Sequence, residues 1–207
     1  FLEINNISYL ELDRYKKYGF DKSDILPSIT LSTNTIYRNI IKDINKMSSP
    51  FKELLNDIYS KYEIEMKSFP DTLSYSNYGK KGSLILKIYN ALRISKSVYK
   101  NKSLNDKDMI MCSILLKYIG RVKQYKYDIV FSHSNIAKNE SCFILSRDII
   151  KDFVKKNKNI EKNIIMEIID IILYDDGKIM VENPKGSIVN TVFNLEKSIS
   201  LNQQLEV

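Results

Sequence analysis

The chain has few of the residues that interrupt regular secondary structure. It contains 6 glycines and 4 prolines among 207 residues, and it has no tryptophan and one histidine. Glycine and proline are the strongest breakers of helices, so their scarcity permits long helices almost everywhere. No internal repeat and no low-complexity segment is visible, which excludes solenoid and linker-like classes.

Cysteines and long apolar runs are equally sparse. Cys112 and Cys142 lie in apolar helical patterns without CxxC spacing, which is typical of reduced core thiols in a cytosolic protein. The longest apolar run, Met109 to Leu116, is far shorter than the ~20 residues that a membrane span needs. No signal peptide opens the sequence. We therefore expect a cytoplasmic protein with no membrane partner.

What is present suits a globular domain with a charged surface. Hydrophobic residues make up 43% of the chain and charged residues 28%, so a core can form and disorder of the whole chain is excluded. The net charge is +7, but 32 basic residues are interleaved with 25 acidic ones. Lysine, isoleucine and asparagine are abundant throughout. This pattern favours a solvated surface over a dedicated phosphate-binding stripe, although both remain open.

The apolar spacing predicts a succession of helices. Ser32 or Thr33 is expected to cap a helix that runs to about Met47, and Ser49-Pro50 is expected to begin the next. Further helices are predicted from Gly82-Ser83, from a cap at Asn105 or Asp106 to Gly120, over 141–155, over 160–173 and from about Ser187.

Residues 1–30 differ from the rest of the chain. Their apolar residues predict a short extended arm, followed by a connector that ends at Pro27. We therefore expect two parts: an arm and connector at 1–30, and an all-α helical domain at 31–207 with minimal strand content.

Five segments resemble, in order along the chain, motifs of the HD-domain phosphohydrolases, and in particular those of the YhaM-type 3′–5′ exoribonucleases. GSLILK at 82–87 resembles the family pattern GGLLEH, SILLKYIGRV at 113–122 resembles ILHDIGKV, and SCFILSRDII at 141–150 resembles GHIVIGAEMI. ILYDDGK at 172–178 resembles ILSHHGK, and VFNLE at 192–196 resembles ADNLD. The connector at 23–28 also resembles the one that follows an oligonucleotide-binding barrel in this family. The resemblance implies an HD-domain-like helical bundle.

In that family the motifs supply the ligands of a divalent metal that activates water against a phosphodiester. The resemblance puts other residues at those ligand positions: Lys87, Lys117, Tyr118, Cys142, Asp175, Asp176 and Phe193. A further family histidine corresponds to about Asn77 or Tyr78. An ammonium has no lone pair and a phenyl ring cannot coordinate. The resemblance therefore implies a degenerate site with no catalytic residue, no metal and no cofactor.

Three interpretations of the altered site remain open. In the first, the ligand positions have changed by drift and have gained no new function. In the second, the ammonium groups of Lys87 and Lys117 replace the positive charge of the metal ions that the family binds. The second interpretation predicts an ion pair from one of these lysines to Asp175 or Asp176, since a buried charge is costly unless paired. In the third, Asp175, Asp176 and Glu196 form an oxygen-only Mg²⁺ site.

The leading functional prediction is a non-catalytic binding or structural module, a pseudoenzyme. Its expected partner is another protein or a larger assembly, with the apolar arm from Phe1 to Leu10 as one contact surface. RNA is the other partner that the family resemblance suggests. Phosphate contacts would then come from lysines in two segments, namely Lys80, Lys81, Lys123 and Lys126. The alternative is an active metal-dependent phosphohydrolase or 3′–5′ exoribonuclease with displaced ligands. The single histidine, His133, is expected to be a surface residue in a loop.

Overall fold

The computed structural model describes residues 26–74, 77–98, 103–127, 130–156, 160–174 and 182–205. Most of the predicted arm and the predicted turn at Asp175 lie outside these ranges. The end of the connector is described, and its backbone pairs with the loop before residue 82. The Ile29 amide donates to the Lys81 carbonyl at 3.1 Å, and the Lys81 amide donates to the Pro27 carbonyl at 2.8 Å.

The described part of the chain is an all-α bundle, as predicted. Its helices are α1 (Thr33–Ile44), α2 (Ser49–Lys61), α3 (Glu63–Ser68), α4 (Ser83–Val98), α5 (Leu104–Lys117), α6 (Arg121–Gln124), α7 (Cys142–Lys156), α8 (Lys162–Leu173) and α9 (Pro184–Leu205). Short 3₁₀ turns lie at Asn77–Gly79 and Ile136–Lys138. In the described residues no helix is both long and apolar enough to cross a membrane.

One small hairpin interrupts the helices. Strands β1 (Tyr125–Tyr127) and β2 (Phe131–His133) are antiparallel, and Tyr127 is paired with Phe131. This agrees with the expected minimal strand content. His133 is exposed, as expected, but it lies at the end of a strand rather than in a loop.

Helix α5 lies at the centre of the bundle, where it packs against α2, α4 and α8. Its sequence is apolar almost all round, and Ile110, Ile114 and Leu115 are fully or almost fully buried. The Tyr59 hydroxyl from α2 donates to the Leu115 carbonyl at 3.0 Å. A buried phenol thus finds its partner on the central helix.

The predicted helix starts were right at α1 and wrong at α2, α5 and α9. Ser32 caps α1, and its side chain accepts from the Thr35 amide at 3.4 Å. The cap residue of α2 is Ser48, not Ser49, and its hydroxyl donates to Asp108 Oδ2 at 2.7 Å. This bond forms because α5 brings a carboxylate to the first turn of α2, where an anion is favourable.

The cap of α5 is Ser103 rather than Asn105 or Asp106. Its side chain accepts from the Asp106 amide at 3.2 Å, so the helix begins two or three residues earlier along the chain than predicted. Helix α5 ends at Lys117 before reaching Gly120, and α9 begins at Pro184 instead of about Ser187. Proline favours such a start because it lacks the backbone N–H that the first helical turn would leave without a partner in any case.

Candidate functional site

Four of the predicted metal-site positions converge in the interior of the bundle. Lys87 comes from α4, Tyr118 follows α5, Cys142 begins α7 and Phe193 lies on α9. The Lys87 ammonium lies 3.9 Å from the centroid of the Tyr118 ring and 5.9 Å from that of Phe193. The two rings meet edge to face, 4.8 Å apart. Cys142 Sγ lies 3.8 Å from the Tyr118 carbonyl oxygen.

The charge of Lys87 is balanced by Asp71, which the sequence did not single out. Lys87 Nζ lies 2.7 Å from Asp71 Oδ2, and the side chains are 11% and 7% exposed. Burial acts to lower the pKa of Lys87, but Asp71, together with Tyr118 and Glu196, acts in the opposite direction and the pKa is raised. Lys87 is therefore a protonated ammonium group that is fixed by its ion pair with Asp71, and it is not a neutral amine.

Asp71 is held in place by its own loop. Its amide donates to the Ser83 hydroxyl and to the Tyr78 carbonyl, each at 3.0 Å. Its carbonyl accepts from the Tyr125 hydroxyl at 3.0 Å. These bonds position the carboxylate below the first turns of α4. Asp71 is the single acidic residue of the segment 68–81. Because a buried lysine needs an acidic partner, placing Lys87 in the interior could have indicated Asp71 from the sequence.

A second cation approaches Asp71 from α6. Arg121 Nε lies 3.6 Å from Asp71 Oδ1, which is longer than a good hydrogen bond but within the range of an ion pair. Glu196 of α9 completes the group; its Oε2 accepts from the Tyr78 hydroxyl at 2.8 Å. We call Asp71, Lys87, Arg121 and Glu196 the ionic centre.

Glu196 is only 2% exposed. Burial raises the pKa of its carboxyl, although hydrogen bonds from Tyr78 and Asn90 act in the opposite direction. Tyr78 also lies beside Lys87, with the ammonium 5.4 Å from its ring centroid. This side chain therefore contacts both a cation and an anion of the ionic centre.

The groups at the converged positions are poor metal ligands. Burial raises the pKa of the Cys142 thiol to about 11, so the thiolate that would bind a metal is scarce near neutral pH. Burial likewise raises the pKa of the Tyr118 phenol. Phe193 has no donor atom. Across the described ranges, no group of three or more His, Cys, Asp or Glu side chains is arranged to hold a metal ion.

Lys117 points away from this convergence, toward α8 and α9. It is 2% exposed, and its ammonium donates to Asn190 Oδ1 at 2.6 Å and to the Ile172 carbonyl at 3.3 Å. Asp175 and Asp176 lie outside the described residues. The ion pair predicted between them and the lysines therefore stays a prediction, as does the oxygen-only Mg²⁺ site with Glu196.

The four lysines predicted to contact nucleic acid lie in two segments of the described surface. Lys80 and Lys81 lie before α4, whereas Lys123 and Lys126 lie on α6 and β1. Lys126 is exposed, and Lys123 Nζ is 3.9 Å from Asp152 Oδ2. The segments adjoin, because the bond from Tyr125 to Asp71 ties β1 to the loop that carries the first pair.

Comparison of the chain with protein-family models, with curated proteins and with solved structures finds no match. The family resemblance therefore rests on the motifs alone, and the function is inferred from the residues and their arrangement.

Proposed function

We propose that the chain is a degenerate HD-domain-like protein that acts as a non-catalytic binding module. The observation that carries the proposal is the position of the Lys87 ammonium. It lies among the residues at the family's ligand positions, 2.7 Å from Asp71 and 3.9 Å from the Tyr118 ring centroid.

An ammonium at this point opposes a metal in two ways. It offers no lone pair, and its charge repels a divalent cation. Asp71, the nearest carboxylate, already neutralises Lys87 and is approached by Arg121 as well. The convergence therefore favours an internal ion pair over a metal–water nucleophile, and this supports a scaffold kept for its shape and surface.

Metal binding and hydrolysis test the loss of catalysis. We expect isothermal titration with Mn²⁺ and Mg²⁺ to give no tight binding, and we expect no turnover of short oligoribonucleotides in Mn²⁺. Metal-dependent turnover that is abolished by Asp175→Ala and Asp176→Ala would instead establish a phosphohydrolase or exoribonuclease with displaced ligands. Tight Mg²⁺ binding lost in the same variants, without turnover, would establish the oxygen-only site.

The hairpin and the adjoining loop support RNA as the first partner to test. Lys126 is exposed, and the neighbouring Tyr127 is 36% exposed with its ring centroid 5.0 Å from that of Phe131. Lysines beside an exposed aromatic ring provide phosphate contacts and a stacking surface for bases.

Gel-shift titrations of single-stranded RNA at several salt concentrations measure this binding. We expect affinity that falls steeply with salt and that is weakened by Lys126→Gln. The control is Lys162→Gln, which removes one positive charge from an exposed position on α8. If no complex forms even at about 50 mM salt, RNA is not the partner and a protein partner takes its place.

A further inference from the structure

A polar groove runs along α4 and α9, beside the connector. It consists of two adjoining cavities of about 370 and 400 Å³, which share Asn90, Arg93, Glu196 and Ser200. Residues 29–31 and Lys80 close one end. Cavities of this size are typical of small-molecule sites, which run from ~300 to 1,000 Å³. Lys87, Tyr118, Cys142 and Phe193 do not line either cavity, but Tyr78 and Glu196 do, so the groove adjoins the ionic centre on its outer side.

The charge that the groove presents to solvent is positive. Its cationic side chains are Lys80 and Arg93, and Arg93 is exposed. Its one acidic side chain, Glu196, is almost completely buried and accepts from Tyr78 and Asn90. Glu196 thus lines the groove with almost no surface open to solvent, whereas Arg93 is exposed and Lys80 is partly exposed.

Among the residues that the structure describes, Arg93 forms no ion pair. Its guanidinium carbon lies 5.9 Å from the centroid of the Tyr89 ring. Other lysines of the same surface are paired, such as Lys96 with Asp43 on α1. A guanidinium presents a planar set of donors that matches the two oxygens of a carboxylate or a phosphate.

We propose that the groove is a binding site for a small organic oxyanion, a carboxylate or a phosphate ester. Arg93 and Lys80 hold the anionic group, and the Asn90 amide and the Ser200 hydroxyl add neutral polar contacts along the groove. This function does not depend on the loss of metal chemistry. It shares Lys80 with the loop beside the hairpin, so a variant outside the groove is needed to distinguish it from RNA binding.

Isothermal titration with four probes tests the site: citrate, inorganic phosphate, AMP and uncharged adenosine. We expect saturable binding of citrate, of phosphate and AMP, or of all three, with one site per chain and no binding of adenosine. The pattern among the anions shows whether the head group is a carboxylate or a phosphate. Arg93→Gln and Lys80→Gln should each weaken binding by about tenfold or more, since each removes a charge-assisted contact.

The matched control is Lys197→Gln, which removes an exposed positive charge from α9 next to Glu196 but outside the groove lining. It should leave the affinity unchanged, and thermal unfolding should show all three variants folded. The proposal is overturned if no anion binds at millimolar concentration, if adenosine binds as well as AMP, or if all three variants weaken binding equally. Lys126→Gln separates the two sites, because it should affect RNA and not these probes.

Discussion

The two halves of the interior are stabilised by different forces. Around α1 and α2 the core is mostly apolar, with Ile40, Leu55 and Ile58 fully buried, and the buried carboxylate of Asp108 on α5 is an exception. Around the beginning of α4 and the end of α5 the interior instead contains the ionic centre. Apolar burial is non-directional and roughly proportional to the area removed from water, whereas the loss of one partner from a buried ion pair leaves an uncompensated charge. The first region therefore tolerates change in proportion to volume, and the second does not.

Removal of one charge should break the ionic centre most severely. We expect Lys87→Met to lower the free energy of unfolding by about 3–5 kcal/mol, because Asp71 is left buried beside a partner that is no longer charged. Urea denaturation measures the loss. Lys67→Met is the control, since its pair with Glu63 lies near the surface and should cost about 1 kcal/mol or less.

The double variant Lys87→Met with Asp71→Asn sharpens this result. Because both charges are gone, it should be more stable than Lys87→Met alone. A double variant that is destabilised by the full sum of the single effects would show that the two side chains do not interact.

In the apolar half, Leu55→Ala should cost about 2–5 kcal/mol, which is the range for a fully buried leucine that leaves a cavity. The same denaturation experiment measures it. In contrast to the ionic centre, the loss should follow the volume removed, so Leu55→Met, which keeps the volume, should cost less than about 1.5 kcal/mol. A Leu55→Met variant as unstable as Leu55→Ala would contradict the distinction between the two regions.

A smaller effect is expected where α5 begins. Ser103→Ala removes the hydroxyl that accepts from the Asp106 amide, and a lost cap of this kind costs about 1 kcal/mol. Thermal unfolding should detect it. Asn105→Ala provides the comparison, because Asn105 does not cap the helix and its replacement should be close to neutral.

The smallest effect is a change in pH dependence. Because burial raises the pKa of Glu196 in the folded state, the folded chain holds this proton more tightly than the unfolded chain. The associated stability is present below the ordinary pKa of glutamate and is lost as the pH rises through the folded-state value. Glu196→Gln removes the titration, so its stability relative to the wild type should increase from pH 4 to pH 7. Denaturation curves of both proteins at each pH measure this difference. If the free energies of unfolding of the two proteins change in parallel with pH, the expectation is wrong.

The apolar half could be predicted from the sequence because its information is local. The three- and four-residue spacing of Phe51, Leu54, Leu55 and Ile58 defines one helix face, and all four side chains are buried. The cap errors were also local, since several polar residues stand near each start and only the backbone angles decide among them.

The ionic centre could not be predicted in the same way. The motif resemblance assigned Lys87 to a position of the family's metal site. Its partner Asp71, however, lies in an irregular loop, and Arg121 is 50 residues from Asp71 along the chain. Chain folding alone decides which loop carboxylate reaches a buried ammonium. For the same reason the predicted pairing with Asp175 or Asp176 had no local pattern to support it over Asp71.

The position of Tyr78 has one more consequence. Its hydroxyl holds Glu196, its ring lies beside Lys87, and its side chain also forms part of the wall of the groove. A single aromatic side chain thus contacts both the groove and the buried charges beside it. Occupation of that space and the stability of the interior should therefore be thermodynamically linked through this ring.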